Sequence, residues 1–255
     1  MDDMRERLRH YHIKCSQHLN RVRLSHLLAL KALENEKPLV DTDYQDLVLA
    51  SFADMPWPKT LAKMHSALHK QHLVSLKINF ELFLDRLLTT VWSFNFAELA
   101  AKVSRKEEEV PLHELAESIV RAGESNVDMR DFVIGRIVPE HGLHKCEEKL
   151  KDATKVRLRD ILYAKNRHYW PQILTAFEIR HLVEHRDGWV NAKFRENVKD
   201  VWSNSSWGER LSLDGLHKVP VEEVDVIKTH DAMLNSVDII TEKLLQWRPG
   251  PTPSQ

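Results

Sequence analysis

A chain of 255 residues can bury a sizeable core, as one large helical domain or as two smaller ones. Its 42% hydrophobic and 29% charged residues exclude a disordered chain and fit a folded soluble protein. A formal net charge of -1 excludes bulk electrostatic attraction to nucleic acid, so any RNA binding must come from a local patch.

In chain order, the opening MDDMRERLRHYHIK is charged and lacks the apolar run of a signal peptide. No later stretch is apolar for long enough to span a membrane, and a cytoplasmic protein is expected. Residues 14–33 carry Leu24, Leu27, Leu28 and Leu30 among basic and neutral polar groups, and this helix is expected to end in ENEKP, at Pro38. Residues 39–59 hold Asp41, Asp43 and Asp46 and then MPWP, which predicts a turn or irregular segment closing an N-terminal hairpin. A long helix follows at 60–92, with Leu61, Met64, Leu68, Leu73, Leu76, Phe80, Phe83 and Leu87. Its length predicts either a break near 77–80 or one of the main helices of a bundle.

The RKEEE cluster before Pro111 predicts an internal joint near 104–111. Shorter helices are expected at 112–121 and 127–137, then a breaker at PEHG, then helices at 144–164 and 168–186. Gly188 is placed to stop the last of these. A short helix at 190–199 precedes SNSSWGERLSLDGLHKVP, which predicts a loop or small hairpin. Val224, Ile227, Leu234, Val237 and Leu244 predict a final helix over 222–246, and the Pro-rich 248–255 predicts a disordered tail. There is no internal repeat, and neither GxGxxG nor GxxxxGK[ST] occurs. The chain therefore reads as all-α: an N-terminal helical extension at 1–59 ahead of a helical domain at 60–247.

The most informative segment is YWPQILTAFEIRHLVEHRDG. On a helical wheel Ile173, Leu174 and Phe177 span one apolar sector, which one or two turns later is taken over by Arg180, His181 and Glu184, with His185 beside them. The opposite side stays apolar through Ile179, Leu182 and Val183, so the polar sector is expected to face a cleft, a partner helix or a second subunit. A plainer reading is an Arg180–Glu184 helix ion pair flanked by ordinary boundary histidines.

Metal binding fits less well. His181 and His185 form HxxxH, but a zinc-protease helix has its glutamate directly after the first histidine, where Leu182 stands here. His141, His144 and Cys146 fit a solvated loop better than a ligand set. His65, His69 and His72 read as structural or solvated in a chain with 15 histidines. Cys15 and Cys146, the only cysteines, are too few for a disulfide framework. No cofactor and no metal is expected.

The run Glu178-Ile179-Arg180-His181-Leu182-Val183-Glu184-His185-Arg186-Asp187-Gly188-Trp189-Val190-Asn191 resembles the signature of the HEPN superfamily. That signature is an arginine, usually a polar neighbour, and a histidine after four to six intervening residues; Arg180, His181 and His185 match it with four between. GWVNAKF, WGERLSLDG and the final helix are similar to the RiboL-PSP-HEPN group and its relatives. The resemblance spans about residues 60–247 and is strongest at 177–194. It implies a helical bundle that commonly dimerises across the motif. Many members are metal-independent endoribonucleases of toxin–antitoxin, abortive-infection or other defence systems, while others bind RNA or nucleotides without cleaving. On that basis Arg180 and His185 are the expected catalytic pair, with His181, Glu184, Asn191 and Lys193 as supporting or substrate-binding residues. RNA, a second copy of the chain, and an antitoxin or other regulatory protein are the expected partners.

The chemistry suits those residues. Attack of a 2′-hydroxyl on the adjacent phosphate needs a proton acceptor, a proton donor to the leaving oxygen, and stabilisation of phosphoryl charge. His185 has the side chain whose ordinary pKa suits proton transfer. Arg180 supplies a permanently charged planar fork for phosphate oxygens. The two lie five residues apart, roughly 7–8 Å along a helix axis, so their side chains can converge on one phosphate without touching.

Overall fold

The computed structural model describes residues 2–34, 57–104, 134, 142–163 and 168–248. Among these, every regular element is helical. Helix α1 runs from Asp2 to Glu34, twelve residues further toward the N-terminus than the leucine spacing predicts. The charged opening is helical because Asp2 and Asp3 sit in its first turn, where the helix dipole favours acids, and Arg7 pairs with Asp3 at 3.2 Å. Its inner face is Met4, Leu8, Cys15, Leu19, His26 and Leu30, all buried, with Tyr11 and Val22 packed between them. Positions 4, 8, 11, 15, 19, 22, 26 and 30 step by four and three with an eleven-residue period, close to the natural pitch, so the seam does not drift off its neighbours. Leu24 and Leu28, which the sequence offers as core, are 57% and 59% exposed.

Helix α2, Trp57–Phe94, runs 38 residues without the break considered near 77–80. No glycine or proline interrupts it after its first turn, and Leu73, Leu76, Phe80, Leu84, Leu87 and Val91 keep one face continuously buried. After α3 (Phe96–Ser104) the expected joint at 104–111, the helix at 112–121 and the PEHG breaker up to His141 lie outside the described residues, as do 35–56 and the tail from residue 249. The same holds for 127–137 except Ile134, which is helical and fully buried.

The single helix expected at 144–164 is two: α4, Leu143–Thr154, and α5, Leu158–Leu162. The Thr154 hydroxyl donates to the Leu150 carbonyl (2.7 Å) and accepts the Val156 N–H (3.1 Å), competing with the helix ladder. Lys155 then turns left-handed at φ 64. Helix α6, Tyr169–Arg186, is buried on all sides from Trp170 to Phe177 and emerges from the core beyond it. It is followed by α7, Ala192–Val198, a 3-10 turn at Trp202–Asn204, and α8, Glu223–Gln246, which starts with a reciprocal Glu222–Asp225 capping box.

The segment before α8 is a packed loop and not a hairpin. Among the described residues its only extended pairing is an isolated antiparallel bridge between Trp189 and Lys218. Trp207 is fully buried and donates to the Pro220 carbonyl at 3.0 Å, and Trp202 donates to the Leu211 carbonyl at 2.9 Å. Gly208 is required here, since a Cβ would lie 1.9 Å from the Trp202 carbonyl oxygen.

Helix α1 lies along α2 and α8; α8 also packs on α6 and α2; α2 in turn supports α4 and α6. One apolar cluster runs from Met4 to Leu244, so α1 shares its core with the helices that follow. No helix among the described residues is long and apolar enough to cross a membrane.

The histidines of α1 and α2 meet inside the bundle. His26 Nε2 lies 2.9 Å from His69 Nδ1, and its Nδ1 faces Arg23 at 2.8 Å. A guanidinium can only donate, so His26 Nδ1 must accept and the ring is neutral, its Nε2–H donating to His69. Burial, then the neighbouring His72 and His69, push the His26 pKa down to about 3. Burial, with His65 next, lowers that of His69. Both folded values lie below the ordinary histidine value of about 6.5. The unfolded chain therefore binds more protons, and the stability these rings contribute is complete above about pH 6.5 and is lost as pH falls toward the folded values. The unfolding free energy from urea titration is expected to fall as pH drops below about 6.5, by about 1.4 kcal/mol per pH unit for His26, with His69 adding in the same direction. His26→Gln should flatten that slope; a slope unchanged by the substitution would refute it.

Candidate functional site

The C-terminal half of α6 forms one wall of an open cleft of about 360 Å³. Phe177, Glu178, Arg180 and His181 come from α6, Lys77 and Glu81 from α2, His144 and Lys145 from the start of α4, and Asn191, Lys193 and Asn197 from α7 and its cap. Of the polar sector predicted for this helix, Arg180 and His181 face this cleft, while Glu184 and His185 do not line it. Ile179 and Leu182 are buried, Leu182 also reaching the cleft wall, and Val183 is half-buried.

Within the motif two pairs form. Arg180 Nη1 meets Glu184 Oε2 at 2.6 Å, with the side chains 23% and 27% exposed. His181 and His185, one turn apart, have ring centroids 4.8 Å from each other at 59°. The same Glu184 oxygen lies 4.0 Å from His185 Nε2, so its carboxylate stands between guanidinium and imidazole. His185 is 60% exposed and does not line the cleft; it sits beyond His181 on the solvent side. The Arg180 Nε–H is buried without a hydrogen-bond partner among the described residues.

The helix stops immediately after His185 and Arg186. Asp187 takes the left-handed conformation (φ 49), one residue earlier than the glycine expected to do so, and Gly188 follows at φ 83. The Gly188 N–H reaches back to the Leu182 carbonyl at 3.0 Å. Asp187 tolerates that backbone because aspartate is among the few residues that visit it, and its carboxylate is held by Lys218 (2.6 Å) and Lys70 (3.5 Å). The Lys218 hydrogen bond, followed by the charge of Lys70, lowers the Asp187 pKa.

Of the supporting residues, Lys193 is exposed on the cleft wall. Asn191 lines the cleft but also caps α7, its Oδ1 accepting the Phe194 N–H at 2.7 Å. Asn191→Ala is expected to lower unfolding stability by about 1 kcal/mol in urea titration, with Asn191→Asp restoring it. An unchanged midpoint would refute the capping contribution.

The cleft also holds residues that the motif does not contain. Lys77 is nearly buried, pairs with Glu81 one turn on, and lies 5.3 Å from the Phe177 ring centroid. Glu178 accepts from Asn197 at 2.9 Å. The signal for Lys77 is present in LVSLKINFELFL, where a lysine occupies a core position between Leu73 and Phe80. His144 and Cys146 diverge: the first is exposed on the cleft, 6.0 Å from the Trp170 ring, while the second is buried with the core. Among the described residues no three His, Cys, Asp or Glu side chains are grouped to hold a metal ion.

The described residues thus make an all-α helical bundle carrying a polar helix end beside a cleft with several cations. Comparison with protein-family models, curated proteins and solved structures gives no match for this chain.

Proposed function

We propose that this chain is a HEPN-like endoribonuclease that cleaves RNA without a metal ion, acting in a toxin, stress or anti-phage setting. The observation that carries the reading is the Arg180–Glu184–His185 arrangement at an exposed helix end, with His181 joining it to a cleft that Lys77, Lys145 and Lys193 also line. The nucleophile is the substrate's own 2′-hydroxyl, and arginine supplies the countercharge, so the chemistry has no step that needs a divalent ion.

In this reading His185 takes the proton from the 2′-oxygen as the O2′–P bond forms. The P–O5′ bond breaks, and a second imidazole protonates the leaving oxygen. That imidazole is His181 of the same chain or His185 of a second copy in a homodimer joined through the motif face. Arg180 moves from Glu184 to the phosphoryl oxygens, an exchange of one charge-assisted pair for another. Products are a 2′,3′-cyclic phosphate and a 5′-hydroxyl, and DNA, lacking the 2′-hydroxyl, is left intact. A regulatory or antitoxin protein is the expected restraint.

The test is incubation of total RNA and labelled single-stranded RNA with purified protein in excess EDTA, with product ends identified. Cyclic-phosphate ends from the wild type support the proposal; cleavage that appears only with a divalent metal refutes it. The closed Arg180–Glu184 pair favours one alternative, a non-catalytic RNA- or nucleotide-binding module in which the carboxylate keeps the guanidinium neutralised. RNA bound with micromolar affinity yet intact under all conditions would select it.

A further inference from the structure

We propose that Trp189 is a stacking platform for an unpaired base of single-stranded RNA, next to the helix end that carries His185. The inference rests on the RNA-directed reading of that helix end.

Trp189 is 56% exposed, although the backbone that carries it is held on both sides. Its own N–H donates to the Arg186 carbonyl at 2.9 Å, the Val190 N–H donates to the His217 carbonyl at 2.9 Å, and the Val219 N–H donates to the Gly188 carbonyl at 3.0 Å. Gly188, at φ 83, lies under the Val219 carbonyl and the Lys218 side chain, where a Cβ would sit 3.4 Å and 3.6 Å away. A flexible loop carrying an exposed indole would lose entropy on ordering around a base; this segment is ordered beforehand.

The charges around the ring favour a nucleic acid over an apolar protein surface. Lys218 Nζ lies 5.6 Å from the Trp189 ring centroid. Lys218 and Lys70 share the single carboxylate of Asp187, and Arg186 precedes it in the chain. Lys218 over the ring, with Lys70 on the same carboxylate, sets two cations against one carboxylate beside an aromatic face, the combination that holds single strands by backbone attraction and base stacking. A protein anchor of the usual kind would place the indole in a desolvated patch depleted of lysine. Trp189 also follows His185 by four residues, directly after the Asp187–Gly188 turn that ends α6.

The experiment measures binding of a fluorescently labelled single-stranded RNA whose 2′-oxygens are methylated, so that cleavage cannot intervene. Trp189→Ala is expected to weaken binding about 5- to 150-fold, the range found for loss of one base–aromatic stack, and Trp189→Phe to recover most of it. Quenching of tryptophan emission by the RNA should be present in the wild type and reduced in Trp189→Phe. Equal affinity of wild type and Trp189→Ala would overturn the platform while leaving the RNA reading standing. Loss of binding tied to a change in oligomeric state by sedimentation would likewise overturn it, making Trp189 a subunit contact. A wild type that binds no RNA would overturn both readings together.

Discussion

His185→Ala is expected to lower RNA cleavage by about 10²–10⁴-fold, the range lost when a positioned proton-transfer group is removed. The protein should stay folded, because this side chain is 60% exposed at the last turn of α6, beside His181 and Glu184. Unchanged circular dichroism with lost cyclic-phosphate production is the result that separates chemistry from stability. Arg180→Ala should cost a comparable factor, about 10²–10³, through loss of charge stabilisation. Arg180→Lys should recover little of it, since an ammonium cannot make the planar two-point contact of guanidinium with phosphate. Full activity in either alanine variant would remove the motif from the mechanism. If the working site combines residues from two copies, mixing the His185→Ala and Arg180→Ala proteins should restore part of the activity in mixed dimers.

Asp225→Ala is expected to destabilise the fold by about 1–3 kcal/mol, because buried donors lose their acceptor while Arg210, 28% exposed, keeps Glu222 as a partner. Asp225 is fully buried at the start of α8. Its carboxylate accepts Ser206 Oγ–H at 2.6 Å, the Arg210 guanidinium at 2.8 and 2.6 Å, and the Glu222 N–H at 2.9 Å. Ser206 in turn binds both ends of Gln172 from α6: its N–H donates to Oε1 at 2.8 Å, and its Oγ accepts from Nε2 at 3.1 Å. The network fastens the loop between α7 and α8 to both α6 and α8. It also supports the stretch that supplies Lys218 to Asp187 and Trp189. A lower urea midpoint with an unchanged slope would report this loss; an unchanged midpoint would show that the loop is held by its tryptophans alone.

Local sequence signals located most of the described helices. The final helix begins within one residue of its predicted start because Glu222 and Asp225 cap it reciprocally through their own side chains. The motif helix was legible for a similar reason: its apolar sector turns ionisable within two turns, and the position where that happens is where α6 leaves the core. The structure departs from the sequence pattern where a local signal has a competitor. Leucine spacing in α1 selects the exposed Leu24 and Leu28, because the true seam begins at Met4 and Leu8 inside a strongly charged stretch and continues through a histidine, His26. One periodic run at 144–164 became two helices because the Thr154 hydroxyl satisfies backbone groups that the helix would otherwise pair.

By itself, then, the sequence determined the helical class, most of the long helices and the residues of the motif, since each of these depends on groups within a turn or two of one another. Only the tertiary structure decided what the motif faces. Lys77, Lys145 and Lys193 come from three separate elements, and they reach one cleft because α2 and α7 pack on α6 while α4 packs on α2. The placement of Asp187 between Lys70 and Lys218 likewise depends on residues more than a hundred positions apart along the chain. Helical periodicity says which side of a helix is buried but not which neighbour buries it, and that choice is made by shape and area summed over the whole core.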